Sequence, residues 1–359
     1  MDTSIVSIGL SNPGKPIPQT EIARFMQKAH QLDERESRRL QIFYRMSGIE
    51  TRHSVLEDFE KNDFEDFTFF PKNKELSPFP GTKARMEVFQ KKVPELAAQA
   101  VRSALDQVVI SPKEITHLVL VSCTGMVAPG VELELMKSLG LSDTIERFCI
   151  HFMGCYAAFT GLRLADKILK AEPEAKVLLV SVELCTLHFQ KEYTEDNVLA
   201  NSLFGDGAAA ALVMKSNHGL KLKHSLSQVL WEGEQDMAWS IGDFGFEMRL
   251  SQYIPSLLDQ GIRRLKSIFE VQFGLSKISN FAIHPGGKQI LQKVQEAFGW
   301  PKECNFHASQ VLNQFGNMSS ASILFVLDRM LRDPEIQGDI LAMGFGPGLT
   351  LETFQMEKR

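Results

Sequence analysis

A strand–turn–helix unit occurs twice in this chain, and a duplicated unit constrains the fold more than any single motif does. In the first copy an apolar run over 147–153 ends at Gly154-Cys155, and a helical pattern follows with Ala158, Leu162, Ala165 and Leu169 on one face. In the second, Phe315-Gly316-Asn317 opens a similar pattern that runs to Leu331. An apolar strand precedes each copy, over 118–125 in one half and ending in His284-Pro-Gly-Gly287 in the other. A further strand follows each, over 175–183 and 338–348. Superposing the copies puts Cys155 and Asn317 at equivalent helix starts, with His284 at a strand end facing both. The expected architecture is α/β: two fused halves, 1–215 and 216–359, sharing one core, with the change of half in the polar stretch 215–219.

The three residues make chemical sense together. A thiol in the first turn of a helix lies among unpaired N–H groups at the positive end of the helix dipole, which favours the thiolate, so Cys155 is expected to titrate below a free thiol. A neutral imidazole and a carboxamide are two N–H donors for an enolate or a tetrahedral oxyanion. Each residue also has a plain structural reading: a buried cysteine, a hydrogen-bonded core histidine, a helix N-cap. Their joint placement around a pseudo-two-fold axis favours the chemical one.

At this point the chain resembles the thiolase superfamily and, within it, the type III polyketide synthases of the chalcone synthase-like group. The resemblance rests on Gly154-Cys155, on Leu203-Phe204-Gly205-Asp206-Gly207-Ala208, on Ile283-His284-Pro285-Gly286-Gly287, on Gly316-Asn317-Met318-Ser319-Ser320-Ala321 and on Gly344-Phe345-Gly346-Pro347-Gly348, and it covers nearly the whole chain. It implies a five-layered αβαβα thiolase-like fold and an iterative decarboxylative Claisen condensation of malonyl-coenzyme A onto an acyl-coenzyme A starter. The product would be a pyrone, resorcinol or phloroglucinol-type ring. An initiating ketoacyl-acyl-carrier-protein synthase is the alternative, and an inactive partner subunit would be expected to lack the nucleophile.

The same resemblance implies roles residue by residue. Cys155 is the acyl-accepting nucleophile, with His284 and Asn317 supporting thiolate and enolate. Phe204 and Phe246 match two gatekeeping aromatics. Arg45 stands where a basic residue meets the coenzyme A phosphates, although Ile42 replaces a lysine expected nearby. Cys123, Thr124, Cys185, His188 and Ser319 belong to the substrate cavity. Cys123, Cys185 and His188 replace threonines of the plant enzymes; the larger imidazole at position 188 is expected either to close part of the cavity or to hold a polar starter or diketide through its N–H, a structural histidine capping the strand end being the alternative. Ala128, before Pro129, takes the place of a methionine in a loop that carries a cis peptide and reaches the partner's cavity in a homodimer.

Composition excludes more than it assigns. A net charge of −5 over 359 residues argues against nucleic acid or an anionic membrane as the main partner. No signal-like N-terminus or membrane-length apolar run is apparent, so a cytoplasmic protein is expected. Its five cysteines contain no Cys-x-x-Cys and fit reduced thiols. Cys149, His151 and Cys155 lack a suitably spaced fourth ligand, so no metal is expected, and no cofactor beyond the thioester substrates. Residues 19–56 and 84–109 read as helical, 57–83 as an irregular excursion, and the aromatic stretch 239–254 as a pocket-building insertion. The Gly-Phe-Gly-Pro-Gly run, with Pro inside it and no helix after it, reads as a tight turn beside the site rather than a phosphate loop.

Overall fold

The computed structural model describes residues 1–251 and 253–359. Its N-terminal half contains strands β1 (Asp2–Ser11), β2 (Ile17–Pro18), β3 (Thr51–Arg52), β4 (His117–Ser122), β5 (Glu146–His151), β6 (Lys176–Leu184) and β7 (Asp206–Ser216). Its helices are α1 (Gln19–Ala29), α2 (Glu34–Met46), α3 (Thr82–Leu105), α4 (Val131–Leu139), α5 (Ala157–Ala171) and α6 (Glu195–Leu203). The C-terminal half adds β8 (Leu220–Val229), β9 (Met237–Gly242), β10 (Gly245–Leu250), β11 (Asn280–Ile283), β12 (Gly338–Gly346) and β13 (Thr350–Lys358). With them come α7 (Ile254–Phe273), α8 (Lys288–Phe298), α9 (Phe306–Phe315) and α10 (Ser322–Arg332).

Strand alternation explains the layering. On β4, β6 and β7 one set of side chains (Leu118, Leu120, Leu178, Val180, Ala208, Ala210) packs with Phe89, Val93, Ala97 and Ala100 of α3. The intervening set (Val119, Val121, Val177, Leu179, Ala209, Ala211) packs in the other direction, into the core that contains α5 and α10. A strand buried on both faces reads as a continuous apolar run, as these do. Beyond α5 and α10 lie β8, β13, β12 and β11, covered on the far side by α7 and α8. The result is five layers, helix–sheet–helix–sheet–helix, with the two repeated helices in the middle. Among the described residues nine strands form one continuous order, β11-β12-β13-β8-β1-β7-β6-β4-β5, and β2 with β3 and β9 with β10 form separate pairs. The halves join through a short β1–β8 ladder, Ser4 opposite Lys221 and Ile5 opposite Leu220.

The expected helix over 19–56 is two helices and a short strand. Gln31 takes φ 52°, and Asp33 then caps α2 in a reciprocal box with Glu36, ending one helix and starting the next. The helix expected over 84–109 is α3, which starts at Thr82 and ends at Leu105. The excursion is irregular, and Phe59, Phe67 and Phe70 from it pack around Phe25 of α1. The aromatic insertion is the β9–β10 hairpin. No helix among the described residues is long and apolar enough to cross a membrane.

Candidate active site

β5 delivers the chain to Cys155 through a tight reversal. Phe152 and Gly154 both adopt left-handed backbone, φ 60° and 76°, and a Cβ on Gly154 would lie 2.2 Å from Cδ of Pro347. Only glycine fits there, and the helical turn Gly154–Tyr156 then leads directly into α5. The second copy solves the same problem with Gly316, φ 67°, whose Cβ would lie 2.7 Å from the Leu203 carbonyl oxygen. Asn317 follows, its N–H donating to Leu203 O (2.8 Å) and its carbonyl accepting from Gly205 N–H (3.0 Å), so Phe204 and Asn317 lie side by side. His284 stands one residue beyond β11, its N–H bonded to Met343 O at 2.8 Å.

Cys155, His284 and Asn317 line one cavity, together with Cys123, Thr124, Cys185, Phe204 and Ser319. The Asn317 amide is oriented: Ser319 N–H donates to Oδ1 at 2.8 Å, which turns Nδ2 toward Gly286 O (3.4 Å) and toward Cys155 Sγ (3.9 Å). Neither ring nitrogen of His284 has a hydrogen-bond partner among the described residues, although the side chain is buried. Burial alone pushes that imidazole down to about 3. The expected depression of the Cys155 thiol is not found. Burial pushes it up to about 11, against hydrogen bonds from Ser319 and Asn317 that favour the thiolate. Desolvation of a thiol shut inside the core outweighs the pull of the helix start.

Glu183 was not singled out in the sequence, yet it is wholly buried beside this cavity. Its Oε2 accepts from Cys123 N–H (2.9 Å) and Thr124 Oγ1 (2.7 Å), and its Oε1 accepts from Ser320 Oγ. Burial raises its carboxyl to about 7. The signal for it was a lone acid at the end of an otherwise apolar strand, β6. Burial also raises the thiols of Cys123 and Cys185 well above the ordinary range. The hairpin contributes Met237, Trp239, Met248 and Leu250, and Phe345 and Pro347 of the glycine-rich turn close another side.

Two pocket expectations need correction. His188 does not offer an N–H to a ligand: Nε2–H donates to Thr124 O (2.8 Å) and Nδ1 accepts from Phe246 N–H (2.9 Å). Both ring nitrogens are spent on backbone, and the ring stacks on Phe246 at 4.2 Å. Phe246 itself does not line the cavity of Cys155. Met248, two residues on along the same face of β10, takes that place, and Phe246 faces a second chamber that His188 also lines. Arg45 is exposed on α2 in a separate groove with Gln19, Arg24 and Gln41, outside the cavity, because its side of α2 faces solvent. Ala128 is exposed in a loop after β4, and its bond to Pro129 is cis; it lines neither chamber of its own chain.

Two pseudo-equivalent halves that bring two helix starts and a strand end to one buried cavity define a thiolase-like fold. The chain belongs to the chalcone and stilbene synthase family: the family's N-terminal domain matches residues 2–216 and its C-terminal domain residues 221–358. It is 31% identical over 97% of its length to an alpha-pyrone synthesis polyketide synthase-like protein of Mycobacterium tuberculosis, 89% of which is covered. The C-terminal type III polyketide synthase domain of a type I/III hybrid from Dictyostelium has the same fold, with a TM-score of 0.89 and 28% identity over 100% of this chain and 99% of that one. A far longer polyketide synthase of Dictyostelium discoideum is 30% identical over 97% of the chain, which spans only 11% of that protein. The chain is thus an acyltransferase of the type III polyketide synthase kind.

Proposed function

We propose that this enzyme loads an acyl group from a coenzyme A thioester onto Cys155 and extends it repeatedly with malonyl-coenzyme A. The Cys155 thiolate attacks the starter carbonyl, and coenzyme A leaves as a thiol with the proton that His284 took from Cys155. Malonyl-coenzyme A then loses carbon dioxide, and the enolate oxygen accepts hydrogen bonds from Asn317 Nδ2–H and a ring N–H of His284. The enolate carbon attacks the Cys155 thioester, a new carbon–carbon bond forms and the cysteine sulfur leaves. The lengthened coenzyme A ester reloads, and the finished chain closes to a pyrone, resorcinol or phloroglucinol-type ring. The observation that carries this reading is the meeting of Cys155, His284 and Asn317 in one buried cavity, with Nδ2 of Asn317 aimed at Sγ.

Two variants test it. Cys155→Ala is expected to abolish both the acyl adduct seen by intact-protein mass spectrometry and all chain extension. Asn317→Ala is expected to load starter almost normally but to slow decarboxylation by roughly 10²- to 10³-fold, the usual loss for one oxyanion donor. An adduct that persists in Cys155→Ala, or equal losses in both steps for Asn317→Ala, would refute these assignments.

A further inference from the structure

The cavity of Cys155 is not the only space in this region. A second, partly open chamber lies on the far side of four side chains that line both spaces: Cys185, Phe204, Trp239 and Met248. Trp239 is the rigid part of this rim. Its Nε1–H donates to Cys123 O at 2.8 Å, and its ring stands edge-on to His188 and Phe246 at 5.6 and 5.8 Å. Met248 is the adaptable part, since an unbranched thioether changes shape at little cost.

The lining of the second chamber says what it can hold. Ile22 and Met26 of α1, Phe59, Phe189 and Phe246 give it apolar walls. Most of its polar side chains are engaged by the protein, with one amide N–H each of Asn197 and Asn201 left over. Gln190 Nε2–H donates to the carbonyls of His188, Phe244 and Phe246, and Asn201 Nδ2–H donates to that of Gln190. Asn197 Nδ2–H donates to Glu192 O, and Thr186 Oγ1 donates to Asp206. His188 has no nitrogen to spare. Arg52 donates to Gln19 and to Phe204 O, faces Asp206, and has its remaining Nη2 sealed away from open space. With Arg52 and His188 spent on the protein, a carboxylate tail would find no cationic partner there, and burying one unpaired is costly.

We propose that this chamber receives the tail of a straight-chain aliphatic starter whose carbonyl is held on Cys155, so that the enzyme selects fatty acyl-coenzyme A. The inference rests on the loading of Cys155 proposed above and adds the class of starter to it. Each methylene that reaches the chamber is worth roughly fourfold in kcat/KM.

Filling the chamber tests the idea. Ala200→Phe narrows it from α6 and Met26→Trp from α1, so one variant carries the test if the other does not fold. Purified wild type and variants are given dodecanoyl-, acetyl- and 4-coumaroyl-coenzyme A with malonyl-coenzyme A, while the Cys155 adduct is followed by intact mass and products by mass spectrometry. Wild type is expected to favour dodecanoyl-coenzyme A. The dodecanoyl-to-acetyl ratio of kcat/KM should fall about 100-fold or more in a folded variant, from the methylenes expelled. An unchanged ratio in a folded variant, or a wild-type preference for acetyl- or 4-coumaroyl-coenzyme A, overturns the chamber's role while leaving the loading step intact. Absence of any Cys155 adduct overturns both.

Discussion

Burial pushes the Cys155 thiol up to about 11 and the His284 imidazole down to about 3, so each residue taken alone is neutral at pH 7. A thiolate and an imidazolium formed together carry no net charge, and their mutual attraction offsets part of the desolvation that opposes each alone. His284→Gln removes the acceptor and leaves burial acting on the thiol. A raised thiol pKa means less thiolate at neutral pH, so alkylation of this variant by iodoacetamide should climb about tenfold per pH unit from pH 7 toward 10 without levelling off. Wild type should react faster at pH 7 and level off at a lower pH. Superimposable profiles would mean that His284 does not take the thiol proton. Cys155, His284 and Asn317 were legible in the sequence because each is tied to a local signal, a glycine before a helix or a strand end. Glu183 was not, since its three partners come from β4's end and from the start of α10's turn, far away in sequence.

The β9–β10 hairpin shows how an element assigns roles that spacing cannot. It was recognisable as a pocket-building insertion, yet which of its side chains reaches Cys155 depends on how far β10 slides past β9. Gly245 pairs with Gly242 and Leu250 with Met237, which brings Met248 opposite Trp239 on the rim and leaves Phe246 stacked under His188. His188 therefore clamps the hairpin to the turn after β6 by one stacking contact and one hydrogen bond, and ties that turn to the end of β4 by a second. Replacing it by alanine leaves Thr124 O and Phe246 N–H buried without their partner, at about 1–3 kcal/mol each. His188→Ala should thus lose about 3 kcal/mol or more of unfolding free energy in urea titrations. A loss below about 1 kcal/mol would show that the hairpin is held by its other contacts.

The whole molecule ends, on its N-terminal side, in β5, an edge strand that pairs only with β4 among the described residues. Phe148 and Ile150 on this strand are only partly covered, and Cys149 on it is exposed, near Glu132 of α4. Met126 and Leu133, close by in the chain, are exposed as well. Natural proteins seldom leave such an edge open, and we expect a homodimer that covers it. Sedimentation equilibrium at micromolar concentration should give about twice the chain mass, and Phe148→Lys should shift it toward the monomer; a monomeric wild type would exclude this surface as a stable interface. What the sequence determined by itself was the duplicated αβ unit, the two glycine-led helix starts and the cavity residues tied to them, because helix periodicity, strand alternation and left-handed turns are set by neighbours in the chain. Only the tertiary structure decided the proton affinities of Cys155 and His284, the clamping role of His188, the partnership of Glu183 and the division of the interior into two chambers. Those depend on desolvation and on hydrogen bonds between residues 58 to 137 positions apart, such as Phe246 with His188 and Ser320 with Glu183, which no local pattern records.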